Sequence, residues 1–291
     1  MKTMGSTRFR RGMTLYEVLV VIVVLVIVIG MVLPAFTRPR RPRRISCINY
    51  LKQIGTAYRV WANDNGDKYP QNQFEAMGGM KGLVDQSSGE GGYTYMVYSL
   101  MQNELGQSPK IVQCPDDTRP ANTNFYFGPK NAPPGTNFAS VNVGTFDNTN
   151  VSYFVGAGAD ATMPQSILGG DRNLGLGIDS AYGISGTSAV PGGRSGADAI
   201  VNTNGTWVYA AISGGGGVVH RGQAVAWSAR MHSADNPSGA GNILLGDGSA
   251  QQCTSAGLRL NWLRNAVDLG NFATNDHLHS TNRGDIRLLF P

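Results

Sequence analysis

Residues 18–29 read VLVVIVVLVIVI, and this run limits what the chain can fold into more than any other feature. The apolar stretch continues to Phe36, interrupted only by Gly30 and Pro34. At about 1.5 Å per residue, a helix over 14–33 spans about 30 Å, the thickness of a bilayer hydrocarbon core. A secretory signal is cut after its apolar core, beside small residues. Here the one matching site, RRG before MTLYE, precedes the core, so the apolar helix is expected to stay with the mature chain.

Charge sharpens this reading. The first twelve residues hold Lys2, Arg8, Arg10 and Arg11 and no acid, which is most of the net +5. The rest of the chain is close to neutral, so a broad basic surface for nucleic acid is not expected. A second cluster, Arg38, Arg40, Arg41, Arg43 and Arg44, suits a flank that touches lipid headgroups. Positive charge therefore lies on both sides of the span, and counting it does not decide the orientation. Glu17 is the anomaly. A carboxylate near the bilayer centre costs about 2.5 kcal/mol or more, so a partner is expected. Cleavage after Gly12 would create an α-amine on Met13, four residues before Glu17. The amine of one subunit can then neutralise Glu17 of a neighbour, giving register to helices that otherwise pack only by shape.

The stretch RRGMTLYEVLVVIVVLVIVIGMVLPAF resembles the prepilin signature of type IV pilins and type II secretion pseudopilins. Gly12 matches the residue before the cut, and Met13 stands where Phe is usual. Glu17 and Pro34 fall where the family has its assembly glutamate and its helix proline. The resemblance implies an N-terminus facing the cytoplasm, a prepilin peptidase as processing partner, N-methylation of Met13 and lateral assembly into a filament. The Arg-Pro run TRPRRPRR departs from the family's long stalk, because Pro39 and Pro42 remove donors and restrict the residues before them.

Beyond the span, Ile48, Leu51, Ile54, Tyr58 and Trp61 recur at helical spacing, with Ser46 as N-cap and NDNGD at 63–67 as the stop. Gly is 39 of 291 residues and charged residues are 15%, a composition of strands and long turns rather than of a helical bundle. Residues 70–240 are read as strand and loop, with YTYMVYSLM, SYFVGAG, WVYAAI and AVAWSA as apolar strand candidates. NILLGDGSAQQ reads as a hairpin, followed by a short helix with Leu258, Trp262 and Leu263 inward. GGGG at 214–217 lacks the context of a phosphate loop. Cys47, Cys114 and Cys253 allow one disulfide and one free thiol in an oxidising compartment, with the pairing open.

The body also resembles bacterial proteins that join a prepilin-type N-terminus to a processing-associated domain of unknown function, marked by His, a spacer and Asp-Gly. CINYLKQIGTAYRVWANDNGDKYP, VQCPDD, SILGGDRN and the block from His232 to Asp247-Gly248 carry the likeness. The landmarks are Cys114, Asp171, Arg172, His232, Asp247 and Gly248. Fourteen residues separate His232 from Asp247, a longer spacer than the group's nominal one.

These readings give an α+β fold. A leader occupies 1–12, a transmembrane and filament-core helix 13–36, an Arg/Pro hinge 37–45 that breaks the helix near 37–44, and a globular domain 46–291. In that domain a second helix packs on a largely antiparallel sheet with long Gly-rich loops. The expected role is a non-enzymatic filament subunit of the pilus or pseudopilus type. Its partners are prepilin peptidase, other pilin copies, and the inner membrane with its assembly platform. The globular domain lies in the periplasm or on an extracellular filament. One alternative is a minor subunit acting as an adhesin or ligand-binding module. Another is a membrane-tethered hydrolase using His232 and Asp247, although no nucleophile elbow, HExxH or carboxylate pair accompanies them. No cofactor is expected. Calcium held by Asp247, with Asp116, Asp117 and Asp171 as other oxygen donors, is weighed against turn-capping, the preferred reading of all four. His220, His277 and His279 are read as surface histidines.

Overall fold

In the computed structural model the apolar run forms one helix, α1 (Leu15–Phe36). Thr14 opens it: its Oγ1 accepts the Glu17 N–H at 3.3 Å and its carbonyl accepts the Val18 N–H at 3.3 Å. This is N-cap geometry, and it places Glu17 in the first turn, where unpaired N–H groups and the helix dipole favour a carboxylate. From Leu15 to Ile29 the large apolar side chains are 41–85% exposed on every side of the helix.

The structure describes residues 14–36, 43–86, 94–125, 146–177, 197–210, 224–228, 231–233, 239–266 and 286–291. Gly12, Met13, His220, His277, His279 and the glycines at 214–217 lie outside them, and Pro34 is described only as part of α1. Among the residues described with their side chains, which in α1 end at Ile29, no helix is long and apolar enough to cross a membrane. The chain divides into two units between Arg41 and Pro42.

The second unit starts with α2 (Arg43–Asp64), so Arg43, Arg44 and Ile45 are helical and the hinge does not reach 45. Ser46 is interior to the helix rather than its cap. Arg is a strong helix former, and a proline just ahead of a helix is compatible with its start, so nothing delays the helix to Ser46. The expected inward face is the observed one: Leu51, Ile54, Tyr58 and Trp61 are buried. YTYMVYSLM is a correction. Its residues form a helix, α4 (Thr94–Leu100), after the short α3 (Lys81–Gln86). Aromatic and β-branched composition suggests a strand, but Thr94, Val97, Tyr98 and Met101 are buried at helical spacing, and Ser99 beside them is buried too, its Oγ donating to the Tyr95 carbonyl one turn back at 2.9 Å.

Nine strands follow among the described residues: β1 (Tyr153–Gly156), β2 (Ile167–Asp171), β3 (Leu174–Gly177), β4 (Ala197–Val201), β5 (Trp207–Ala210), β6 (Ala224–Trp227), β7 (Gly241–Leu245), β8 (Ala250–Cys253) and β9 (Ile286–Phe290). Seven form one sheet in the order β5-β4-β9-β1-β2-β7-β8, and β3 pairs with β6. Every pairing is antiparallel. Strand alternation divides the core. Tyr153, Val155, Leu244 and Leu289 face a cluster with α2 and α4. Phe154, Ile243, Leu245, Leu288 and Phe290 face a second cluster with Trp207, Trp227, Leu258 and Leu263. Leu258 and Leu263 belong to the predicted short helix, formed by α5 (Ser255–Gly257) and a π-helical turn, Leu258–Leu263.

Close backbone approach fixes α2 on the sheet. A Cβ on Gly55 would lie 2.7 Å from the Gly248 carbonyl oxygen and 2.8 Å from Leu244 Cδ1. The β7–β8 turn is held from the same side: Arg59 Nη1 donates to the Asp247 carbonyl at 2.8 Å, and Tyr69 Oη to the Gly246 carbonyl at 2.7 Å.

Candidate functional site

The sequence places the CPDD motif just after a 3-10 turn, Pro109–Val112. The Asp117 N–H donates to the Cys114 carbonyl at 2.9 Å, so one tight turn presents Cys114, Asp116 and Asp117 together. Cys114 is disulfide-bonded to Cys47 on α2, with Cα atoms 5.2 Å apart, while Cys253 is a buried free cysteine. Burial pushes the Cys253 thiol up to about 12, so it is inert at neutral pH.

SILGGDRN forms β2 and the residues after it. Gly170 lets the Phe154 ring cross the strand, since a Cβ there would meet Phe154 Cζ at 2.8 Å. Asp171 ends the strand fully buried, and its Oδ2 accepts the Asn242 N–H at 2.8 Å and the Asn242 Nδ2 at 2.9 Å. Burial outweighs these bonds and raises the Asp171 carboxyl to about 8. Among the described residues Asp171 Oδ1 has no hydrogen-bond partner. Arg172 points to the neighbouring acid instead. Its Nε and Nη2 both donate to Asp117 at 2.6 Å, with side-chain exposures of 8% and 1%. Burial pushes Asp117 up, but the hydrogen bonds and charge of Arg172 prevail and hold it below the usual carboxylate value.

His232 arrives on a short turn, Met231–Ser233, whose Met231 has a φ of 53°, an uncommon conformation for a side-chain-bearing residue. Ser233 Oγ donates to the Ala240 carbonyl at 2.7 Å and accepts the Ala240 N–H, closing the turn. The His232 side chain is 1% exposed. Its Nδ1 is 3.2 Å from Asp116 Oδ2, an ion-pair distance without hydrogen-bond alignment. Its Nε2 is 3.4 Å from both Asp171 Oδ2 and Cys114 Sγ. Burial dominates and lowers the His232 pKa, with Asp116 acting against it and Arg44 with it.

Four sequence landmarks, Cys114, Asp171, Arg172 and His232, thus converge, and the other two do not join them. The carboxylates beside His232 are Asp116 and Asp171, where the hydrolase reading supposed Asp247. Asp247 instead accepts the Ser249 N–H on Oδ1 at 2.8 Å and sits in the β7–β8 turn, with Gly248 at a φ of 80°. This is turn-capping, and Gly is required there because φ is positive. The oxygens proposed for calcium are engaged separately, Asp117 by Arg172 and Asp171 by Asn242. Among the described residues, the set of three His, Cys, Asp or Glu side chains whose ligand atoms lie within 4.8 Å of one another is Cys47, Cys114 and His232. Asp116 and Arg44 are the members the sequence reading did not place: CPDD and the basic flank held them, but nothing local ties either to His232. No known protein family, curated protein or solved structure matches this chain.

Proposed function

We propose that this chain is a non-enzymatic structural subunit of a filament of the type IV pilus or type II secretion pseudopilus kind. On this reading prepilin peptidase cuts after Gly12, α1 anchors the subunit in the inner membrane with its N-terminus in the cytoplasm, and α1 then packs against the same helix of other subunits. The α+β unit faces the periplasm and, after assembly, the filament surface.

The observation that carries the reading is the character of α1. It is a helix of 22 residues, about 33 Å long, with Glu17 as its one charge and apolar residues all round. Fourteen large hydrophobic side chains between Leu15 and Ile29 are exposed. Full burial of each is worth roughly 1.5–3 kcal/mol. Even half of that sums to on the order of 10–20 kcal/mol, as much as the whole net stability of a typical domain. Such a helix is compatible with lipid or with other helices, not with water. The Cys47–Cys114 bond agrees with an oxidising compartment for the second unit.

The test is the N-terminal peptide of the native protein together with electron microscopy of sheared surface filaments. A peptide starting at Met13, one methyl group heavier than expected, and filaments containing the chain are the expected result. Gly12→Asp should leave an uncut precursor. A mature protein of unchanged mass from that variant, or a peptide starting after residue 36, overturns the reading.

A further inference from the structure

The Cys47, Cys114 and His232 cluster is unlike a disulfide buried in an apolar core. Among the described residues it includes a buried imidazole, and beside that ring lies Asp171, whose Oδ1 no hydrogen bond satisfies. Unpaired buried polar atoms are costly and rare. The spacing around His232 Nε2 gives the pattern a chemical meaning. Cys114 Sγ and Asp171 Oδ2 each lie 3.4 Å from it. In a tetrahedral zinc site, bonds of about 2.3 Å to sulfur and about 2.05 Å to nitrogen and oxygen set ligand–ligand edges of about 3.5 Å for N···S and about 3.4 Å for N···O. On the far side of the ring, Asp116 Oδ2 is 3.2 Å from Nδ1. The two lie at an ion-pair distance; a hydrogen bond from Nδ1 to the carboxylate is what would turn the Nε2 lone pair toward a metal. Asn242 holds Asp171 through two donors to Oδ2.

We propose that, when the Cys47–Cys114 bond is reduced, Cys47, Cys114 and His232 supply three ligands of a tetrahedral site for a divalent cation of the zinc class, with Asp171 as the carboxylate nearest His232 Nε2 for the fourth position, and that disulfide formation expels the cation. The two thiolates and the carboxylates of Asp171 and Asp116 favour a divalent cation, and Arg44, whose guanidinium acts on both Asp171 and His232, offsets part of their charge. Thiolate and imidazole together select zinc over calcium or magnesium. The chemistry balances. A phosphine takes the disulfide and one water to two thiols and a phosphine oxide. Metal binding then releases the two thiol protons. A disulfide oxidant accepts two electrons from the thiolates, takes two protons from water and leaves as two thiols, while the Cys47–Cys114 bond forms and the cation departs. The site is independent of the filament reading, since it concerns only the second unit.

The experiment uses the full chain in detergent, produced without oxidation, kept in phosphine and freed of metal, then titrated with Co²⁺. The expected result is one cobalt per chain, with a thiolate-to-cobalt charge-transfer band and tetrahedral visible bands, both abolished by Zn²⁺ and absent after oxidation by oxidised glutathione. Cys253→Ser should bind as the native chain does. His232→Ala should weaken binding at least about 100-fold, and Asp116→Asn about 10–100-fold, with recovery in Asp116→Glu. If a variant fails to fold, alkylation of the unmodified reduced chain with and without Zn²⁺ still decides: zinc should shield Cys47 and Cys114. Absence of the charge-transfer band, equal metal binding by the oxidised chain, or no zinc-dependent shielding of those two thiols overturns the proposal.

Discussion

Opening the Cys47–Cys114 bond should cost the second unit about 4 kcal/mol. The bond closes a loop of 67 residues, tying α2 to the turn that carries Asp116 and Asp117. In the chain-entropy treatment a loop of that size restricts the unfolded ensemble by about 15 cal/mol/K, which is about 4 kcal/mol at 25 °C. The loss acts on the unfolded state, so reduction should also raise the dependence of unfolding free energy on urea, because a less constrained chain exposes more surface. The assay is urea unfolding of the full chain in detergent with a chelator present, oxidised against phosphine-reduced. Intrinsic fluorescence is a suitable signal because Trp61, Trp207 and Trp227 are all buried. A loss below about 1 kcal/mol with an unchanged urea slope would refute the reasoning, since it would mean that the unfolded chain is already held together without the bond.

Arg172→Met should destabilise the unit by about 3–5 kcal/mol, since it leaves Asp117 buried and unpaired, whereas Arg172→Met with Asp117→Leu should recover most of the loss in the same urea assay. Asp117 is held below the ordinary carboxylate value, so its contribution is present above about pH 4 and disappears as pH falls through the folded value. In acid titrations followed by circular dichroism, the native chain should therefore lose stability below about pH 4, and the double variant should lose less over that window. Gly55→Ala should cost about 1–3 kcal/mol, read as a lower thermal midpoint, because its Cβ has no room against the Gly248 carbonyl.

The elements that were legible in the sequence are those whose signal is local. The α2 face shows as a periodicity, and the β7–β8 hairpin shows as an apolar run, a Gly246-Asp247-Gly248 turn and a short second strand. α2 buries one face against the sheet, and β7 is buried on both faces. Thr94–Leu100 misled because aromatic and β-branched residues suit strands in general, while the core here needed a helix across one end of the sheet. The site was legible only as fragments. His232 is 118 residues from Cys114, and Arg172 is 55 from Asp117, so their meeting depends on the sheet order and on α2. Asp247 drew attention because it closes the His-spacer-Asp-Gly pattern. In space that place is taken by Asp171, which β2 delivers beside β7. The disulfide pairing could not be read either: three cysteines allow three single pairings, and only the packing of α2 against the Pro109–Val112 turn selects one.

Glu17 carries two physical roles that a single substitution can separate. Thr14 and the first turn of α1 give its carboxylate a favourable place, since a negative charge at a helix N-terminus is worth about 0.3–1 kcal/mol. Placing a carboxylate deep in a bilayer costs about 2.5 kcal/mol or more. The helix end therefore offsets less than half of the cost, and a further partner, the Met13 amine of a neighbouring subunit, is still needed if Glu17 lies in lipid. Glu17→Gln keeps a side chain able to complete the cap but removes the charge, whereas Glu17→Ala removes both. The amine pairing therefore predicts that both variants insert in the membrane as well as the native chain and that both fail to assemble, as read by carbonate extraction and by filament yield. A capping role alone predicts that Glu17→Gln assembles and Glu17→Ala does not. Normal filaments from Glu17→Gln would exclude the charge pair, whatever the alanine variant does.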